Sequence, residues 1–465
     1  MSSARSGLSP ADLAGKTVAI VGVGREGVAV ARALQRDVPT ATLVAIDQRE
    51  GDQVDDWKAQ FDIPLHIVDA SGPLPPGIDV AVVSPGFAPH NPVVELVDSA
   101  GIVRTSGTDL FFSQNASRII GVTGSKGKST TSALIHHLLR AHGLDAVLGG
   151  NVGVPLWDLP DAQWIVAEVS SFQASSLSHS PHTAVLTALF DEHRDWHGSF
   201  DAYVRDKLKL VAFHPDHLVV NSTQPTLVEQ LDALPDVTHR INVGEGRAFD
   251  LMRAGGREWL SVEGEAVIAL DELPLAGRHN AWNALLALAA VSTVVSVDPA
   301  VAAEALRTFE PLPHRLQPVS DPSAVEFLND SLATNPPALA AALGSLRDRR
   351  VIAIIGGADR GVDQSVLRDE IVSHPPAVLI GLPDSGPQML QTIAQWLTDA
   401  GVDESHWPAR IPVDDMSEAV SVARAHAESG DVVVLSPGAP SFGRYRDYQD
   451  RAEQFIAAVA ATAEH

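Results

Sequence analysis

Gly121-Val122-Thr123-Gly124-Ser125-Lys126-Gly127-Lys128-Ser129-Thr130-Thr131 is the most informative stretch of this 465-residue chain. It follows the apolar pair Ile119-Ile120 and leads into Ser132-Ala133-Leu134-Ile135-His136-His137-Leu138-Leu139, whose apolar residues recur at helical spacing. A buried strand feeding a glycine-rich loop that opens a helix is the setting of a phosphate-binding loop. The glycines let backbone N–H groups turn toward phosphate oxygens, and the helix N-terminus adds positive potential. Lys128 would reach the β- and γ-phosphates as a point charge, and the Ser129 hydroxyl would complete a Mg²⁺ shell. Gly121 and Gly127 enclose five residues rather than the general pattern's four. A Gly/Ser-rich turn with a stray lysine is the plain alternative. The strand–loop–helix context favours an ATP site.

Length and composition set the frame. A chain of 465 residues outgrows one core, so roughly two to four domains are expected. Hydrophobic residues make up 45% and charged residues 20%, ordinary for a globular protein. The formal net charge of −25 argues against a nucleic acid or an anionic membrane as partner. It leaves phosphate ligands open, since loops and single lysines capture those locally. With no cysteine, disulfides and thiolate-held metals are excluded. Residues 1–16 lack the apolar core of a secretory signal, and the apolar stretch 284–297 is too short for a bilayer, so a cytoplasmic protein is expected.

On the N-terminal side, Thr17-Val18-Ala19-Ile20-Val21 runs into Gly22-Val23-Gly24-Arg25-Glu26-Gly27, and a second apolar run ends at Asp47, about 20 residues on. This is G-x-G-x-x-G with an acidic residue placed for a ribose hydroxyl; a tight turn in any doubly wound domain reads the same way. A third run, 79–83, ends in Ser84-Pro85-Gly86. Residues 1–105 thus read as a Rossmann-like domain holding a nucleotide.

Residues 106–311 read as the central domain. There Ile165-Val166-Ala167 ends in Glu168, a carboxylate at a strand tip suited to Mg²⁺, and the run 184–190 ends in Asp191-Glu192-His193-Arg194-Asp195-Trp196-His197. His193 and His197 have zinc half-site spacing, but Arg194 stands where a zincin needs glutamate. On periodicity alone Lys207 and Lys209 would form a solvated helix face. His279, Asn280 and Asn283 open an alanine-rich helix, where they could cap it or meet an adenine edge. Pro311-Leu312-Pro313-His314-Arg315 marks a boundary, and residues 312–465 alternate again, with runs ending in Gly356-Gly357, Gly381 and Ser436-Pro437-Gly438. The expected class is α/β with three domains, two Rossmann-like ones flanking a central domain of P-loop ATPase type with a parallel or mixed sheet.

Taken in order, Gly121–Thr131, Gly149–Asn151, Glu168-Val169-Ser170-Ser171-Phe172-Gln173, His279–Asn283, His314-Arg315 and Asn329-Asp330-Ser331 resemble the bacterial Mur ligases over nearly the whole chain. The short first domain and the closing Ser436-Pro437-Gly438-Ala439-Pro440-Ser441-Phe442 are most similar to the D-glutamate-adding branch. The resemblance implies a monomeric ATP-dependent ligase of cytoplasmic peptidoglycan precursor synthesis, which joins D-glutamate to UDP-N-acetylmuramoyl-L-alanine through an acyl phosphate and a tetrahedral intermediate. It implies ATP contacts at Gly124, Lys126, Gly127, Lys128, Ser129, Thr130, Asn280, Asn283, Arg315 and Asp330. Two Mg²⁺ sites would draw on Ser129, Glu168, His193 and Lys207, the last carried as a carbamate. Lys128, His193 and Lys207 would serve catalysis. Gly24, Asp47, Arg49, Ser84, Gly86 and Asn151 would hold the UDP-substrate, and Thr334, Arg360, Ser441, Phe442 and Tyr448 the amino acid.

Two positions depart from the family pattern. Leu332 follows Asp330-Ser331 where the family usually has lysine, which puts the identity of the amino acid in question and suggests compensation by Thr334 or Arg444. Lys126 replaces the usual asparagine of the phosphate loop. A sister ligase with a different amino acid is the near alternative. A non-catalytic nucleotide sensor is the distant one, and Glu168, His193 and Lys207 together speak against it.

Overall fold

The computed structural model describes residues 7–463 except 49–51, 69–71, 152, 191–193, 232–238, 276, 311–312, 359–363 and 442. Two compact units result, Met1–Glu310 and Pro311–His465. The first carries two sheets and the second one, so the α/β class with three sheets is present.

The N-terminal sheet holds β1 (Thr17–Val21), β2 (Thr42–Asp47), β3 (Leu65–Ile67), β4 (Val80–Val83) and β5 (Val103–Thr105) in the order β3-β2-β1-β4-β5. All its pairings are parallel. The strand order reverses between β1 and β4, which opens a crevice at their carboxyl ends, where Gly22 and Ser84 lie. Gly27 shows why the fingerprint needs its last glycine: a Cβ there would sit 2.0 Å from Gly22 O, so only glycine lets the helix Arg25–Asp37 approach β1.

The second sheet holds β6 (Ile119–Thr123), β7 (Ala146–Gly150), β8 (Trp164–Glu168), β9 (Thr183–Leu186), β10 (His217–Asn221), β11 (His239–Val243), β12 (Phe249–Ala254), β13 (Arg257–Val262) and β14 (Glu265–Ala269). Its order is β14-β13-β12-β11-β10-β9-β6-β8-β7, with only β12-β13-β14 antiparallel. All five residues of β6 are buried, as befits a central strand covered on both faces. Its neighbours β8 and β9 lie to either side, so their carboxyl ends flank the phosphate loop. The helix Arg278–Ser292 is apolar nearly all round and accordingly buried, with Ala281 and every residue from Asn283 to Val291 inside.

The C-terminal unit holds β15 (Gln317–Val319), β16 (Glu326–Asn329), β17 (Val351–Ile355), β18 (Val378–Gly381), β19 (Ala409–Pro412) and β20 (Val432–Leu435), ordered β15-β16-β20-β17-β18-β19, with only β15 antiparallel. No helix among the described residues is long and apolar enough to cross a membrane.

At the opposite end of the second sheet, His182, His217 and His239 form a row across β9, β10 and β11, each ring centroid 5.1 Å from the next. Burial lowers the pKa of His182 and of His217, and for His217 the imidazoles on either side add to it; Asp216 opposes the shift in both. A histidine whose folded pKa is lowered charges first in the unfolded chain, so its stabilisation is present above the unfolded value of about 6.5 and is lost as pH falls below it. We expect the melting temperature of the wild type to drop between pH 7.5 and pH 5.5, and His217→Gln to reduce that drop. An equal drop in both proteins would assign the acid sensitivity elsewhere.

Candidate active site

The phosphate loop is shaped by backbone that only glycine adopts readily. Gly124 has φ +151° and Gly127 φ +86°, and the helix Lys128–Ala141 starts directly after. A Cβ on Gly124 would lie 2.0 Å from Thr187 Oγ1, and one on Gly127 2.5 Å from Asn283 Oδ1. Both contacts come from outside the loop. Thr187, just beyond β9, donates its hydroxyl to Lys126 O at 2.6 Å, and Ser125 N donates to Ala188 O at 2.6 Å. Ser125 Oγ bonds Phe190 N at 2.8 Å and the Tyr203 hydroxyl at 2.5 Å. The loop is therefore strapped to the strand beside it.

Two lysine side chains close on it. Lys128 Nζ donates to Gly124 O at 2.8 Å and to Ser125 O at 2.9 Å. Lys207 Nζ donates to the same Gly124 O at 2.7 Å and sits 4.9 Å from the Tyr203 ring centroid. Lys207 is only 2% exposed, which corrects the solvated-face reading. The helix Phe200–Leu208 turns Tyr203, Val204 and Lys207 inward along one i, i+4 face. Lys209 is half-buried and holds Ser175 O and, at 2.9 Å, Asp206 Oδ1.

Glu168, also 2% exposed, ends β8, and its Oε1 accepts from Asn151 Nδ2 at 2.9 Å. The main chains lock too: Asn151 N donates to Glu168 O at 2.9 Å. Ser129 is buried at the first turn of the loop helix, so the two oxygen donors proposed for Mg²⁺ are on neighbouring elements of the right hardness. Asn280 and Asn283 meet each other at 3.0 Å, with Asn283 packed on Gly127.

Sequence reasoning missed how the first sheet docks here. Arg25 Nη1 donates to Gly153 O at 2.9 Å, and Glu26 Oε1 accepts from Gln173 Nε2 at 2.7 Å. Burial pushes the Glu26 carboxyl up, against the pull of that hydrogen bond. Asp47 accepts Val23 N at 3.0 Å and Gln48 N at 2.7 Å, so its carboxylate braces the glycine turn. Ser84 Oγ donates to Gly22 O at 3.1 Å. A cavity beside them is lined by Ser84, Phe87, Arg104, Phe172 and Trp196. None of its aromatic members was singled out, because aromatics in a sequence signal core as readily as ligand.

In the C-terminal unit, Asp330 Oδ2 accepts from Ser436 Oγ at 2.8 Å and Asp330 N donates to Leu435 O at 2.8 Å. Arg315 lies between His314 (φ +63°) and Leu316 (φ +41°), two non-glycine residues in left-handed backbone, a strain that concentrates at functional sites. Ser331 Oγ donates to Tyr448 O at 2.8 Å, while the Tyr448 ring meets His314 edge-on. Ser441 is buried and Thr334 half-buried. Arg49, His193, Arg360 and Phe442 lie outside the described residues.

Comparison with known proteins adds three findings. The family models for the Mur ligase middle domain and for the Mur ligase glutamate ligase domain match residues 122–291 and 314–438. Curated relatives named UDP-N-acetylmuramoyl-L-alanine–L-glutamate ligase come from a Micromonospora species, at 40% identity with 98% of both chains covered, and from Xanthomonas euvesicatoria, at 36% with 95% of both. Among solved structures, the UDP-N-acetylmuramate–alanine ligase of Thermotoga maritima aligns with TM-score 0.60 at 19% identity, covering 96% of this chain and 99% of that one. The MurF ligase of Thermotoga maritima in complex with ADP aligns with TM-score 0.58 at 15% identity, covering 98% and 97%. At these identities the structures speak for the fold.

Gly124→Ala tests the loop. The added methyl collides with Thr187, and the backbone must leave φ +151°. We expect affinity for a fluorescent ATP analogue to fall about tenfold or more, with the far-ultraviolet circular dichroism unchanged. Unaltered affinity would show that the strap from Thr187 does not shape the nucleotide site.

Proposed function

The chain belongs to the Mur ligase family, and on that premise we propose that it is an ATP-dependent ligase joining L-glutamate to the alanine carboxylate of UDP-N-acetylmuramoyl-L-alanine in cytoplasmic peptidoglycan precursor synthesis. The observation that carries the ligase reading is the phosphate loop with buried Glu168 and Lys207 on either side of it.

The reaction follows from what these residues can hold. ATP would transfer its γ-phosphoryl group to the alanine carboxylate, giving an acyl phosphate and ADP. Lys128 and the backbone N–H groups of the loop would carry the negative charge on the phosphoryl oxygens, which is the main demand of such a transfer. Gly124, Lys126, Gly127 and Thr130 would complete the phosphate contacts. Asn280 and Asn283 would meet adenine, and Arg315 and Asp330 the phosphates and ribose. Ser129 and Glu168 fit Mg²⁺, whose charge would lessen the repulsion between phosphate and carboxylate. Lys207 converted to a carbamate would offer oxygen ligands for a second Mg²⁺, alongside His193.

In the second step the amine of glutamate attacks the acyl carbon, the new C–N bond forms, the amine gives up its proton, and the tetrahedral intermediate expels phosphate. His193 is the candidate to take that proton. Asn151 would position the muramoyl-alanine end, since its amide already bridges to Glu168. Gly24, Arg49, Ser84 and Gly86 would bind the uridine diphosphate. Asp47 would act there by bracing the turn that presents Val23 and Gly24.

The proposed stereochemistry departs from the D-glutamate expectation. The curated relatives are named for L-glutamate, and Leu332 removes the cation that the family pattern puts after Asp330-Ser331. An apolar side chain cannot pair with the γ-carboxylate, so the acidic side chain must be met from elsewhere. The candidates that the resemblance and the sequence offer are Thr334, Arg360 and Arg444, with Ser441, Phe442 and Tyr448 lining the amino-acid site. Moving the partner of that carboxylate changes how each enantiomer presents its amine to the acyl carbon, so enantiomer preference is open to change at this position.

Phosphate release with ATP, Mg²⁺ and UDP-N-acetylmuramoyl-L-alanine tests both levels. We expect L-glutamate to exceed D-glutamate in kcat/KM by about a hundredfold, corresponding to ~2.7 kcal/mol. Release with D-glutamate alone would return the chain to the usual branch, and turnover of a different amino acid would keep the ligase and move its specificity. ATP binding with no release in any acceptor mixture would favour a sensor.

A further inference from the structure

Arg451, on the helix Tyr448–Thr462, is 0% exposed, the one arginine so deeply buried among the described residues, and none of the described carboxylates is hydrogen-bonded to it. Its Nε donates to Ser331 Oγ at 3.0 Å and its Nη2 to Ser331 O at 2.9 Å. Its Nη1 donates to Ala439 O at 3.0 Å and to Pro440 O at 3.2 Å. Every acceptor belongs to one of two loops, the one leaving β16 and the one leaving β20. A third loop closes on the same group: a Cβ on Gly357, just beyond β17, would lie 2.9 Å from Nη1 and 2.4 Å from Pro440 O. Ala358 N then donates to Pro440 O at 2.8 Å. The guanidinium thus joins the carboxyl-end loops of the three adjacent strands β16, β20 and β17.

Burying a cation without an anion is costly, and burial here pulls the guanidinium down to about 10, where it still carries its charge at neutral pH. A lysine would bring a point charge in place of a planar fork, and an apolar residue would leave Ser331 O and Ala439 O without their donors. The chemistry is that of a fixture. It holds the segment carrying Leu332 and Thr334 against the segment carrying Ser441, the residues read above as facing the amino acid. Asp330 is held separately, by Leu435 O and Ser436 Oγ.

We propose that Arg451 is a positioning residue for the amino-acid site: it sets the Ser331–Thr334 segment against Ala439–Ser441 and so tunes recognition of glutamate without touching it. The proposal rests on the reading of Thr334 and Ser441 as amino-acid contacts. It separates the amino acid from the other two substrates, because Asp330 has its own anchor and the phosphate loop lies in the other unit.

Arg451→Lys and Ser331→Ala test it in the full-length protein, with KM for glutamate, ATP and UDP-N-acetylmuramoyl-L-alanine measured in turn. The expected result is a glutamate KM raised about tenfold in Arg451→Lys and about threefold in Ser331→Ala, with the other two KM values within about twofold of wild type. Backbone hydrogen exchange should quicken at residues 331–334 and 438–441 and stay unchanged in β17 and β18. A lowered melting temperature with all three KM values unchanged would reduce Arg451 to packing and overturn the proposal, as would an equal rise in all three. Should Arg451→Lys fail to fold, Ser331→Ala decides by the same split. Wild-type protein that turns over neither enantiomer of glutamate would instead sink the functional reading, and hydrogen exchange would still judge the role of Arg451.

Discussion

Two ammonium groups converge on one carbonyl. Gly124 O accepts from Lys128 at 2.8 Å and from Lys207 at 2.7 Å, and the rest of the site depends on that meeting. It requires the turn at Gly124, whose φ of +151° and close approach to Thr187 a Cβ would forbid. It also requires β9 beside β6, because Thr187 and Ala188 brace the loop from that strand's end. Lys128 concentrates positive potential where the helix N-terminus already supplies some, and Lys207 adds to it as long as its amine is unmodified. A polyphosphate answers that field, and the glycines leave room for its oxygens to approach the backbone.

From that centre a chain of contacts runs outward through the first unit. Glu168 ends the strand on the other side of β6 and binds Asn151, whose carbonyl and that of Gly153 face Arg25. Glu26, the next residue, takes Gln173, which also caps the short helix after Glu168. The variable positions of the N-terminal glycine fingerprint therefore buttress the loops after β7 and β8 of the neighbouring sheet. A turn whose sequence reads as a nucleotide cradle does two jobs: its backbone faces the crevice between β1 and β4, and its side chains fasten that crevice to the segments around β8. Coupling between the two sheets follows from hydrogen bonds of ordinary strength, each worth about 1 kcal/mol net, arranged in series.

The phosphate loop was legible because its constraint is local: glycines at Gly124 and Gly127, a lysine, a hydroxyl and a helix all fall within one short window. Glu168 was legible for the same reason, as a carboxylate closing an apolar run. Lys207 was not legible from periodicity, since a nine-residue helix with charges on several faces does not declare which face is inside. Only the family resemblance pointed to it, and the folded chain buries its amine. Arg451 was invisible by either route. In Asp450-Arg451-Ala452-Glu453 it reads as a solvated residue among other charges, and its partners lie 120 positions away at Ser331 and on the loop after β20. Asp47 has partners that the spacing did not declare. The spacing suggested a ligand-facing carboxylate, and the folded chain gives both its oxygens to backbone N–H groups.

A chain of net charge −25 with the three anionic substrates proposed for it must capture each at short range. At about 0.15 M salt its distant carboxylates are screened beyond roughly 8 Å, so the sites feel mainly their own linings. Those linings are built from backbone N–H groups, a few enclosed cations and hydroxyls, with the acidic surplus on the surface. Leu332 then carries more weight than one exposed substitution would. Where recognition rests on few cations, removing one leaves no diffuse positive field to compensate, and the geometry of the remaining donors selects the ligand. The loops fixed by Arg451 supply that geometry in the C-terminal unit. A rigid arrangement of neutral donors discriminates by shape and direction, which is the kind of recognition that distinguishes two enantiomers of one charge.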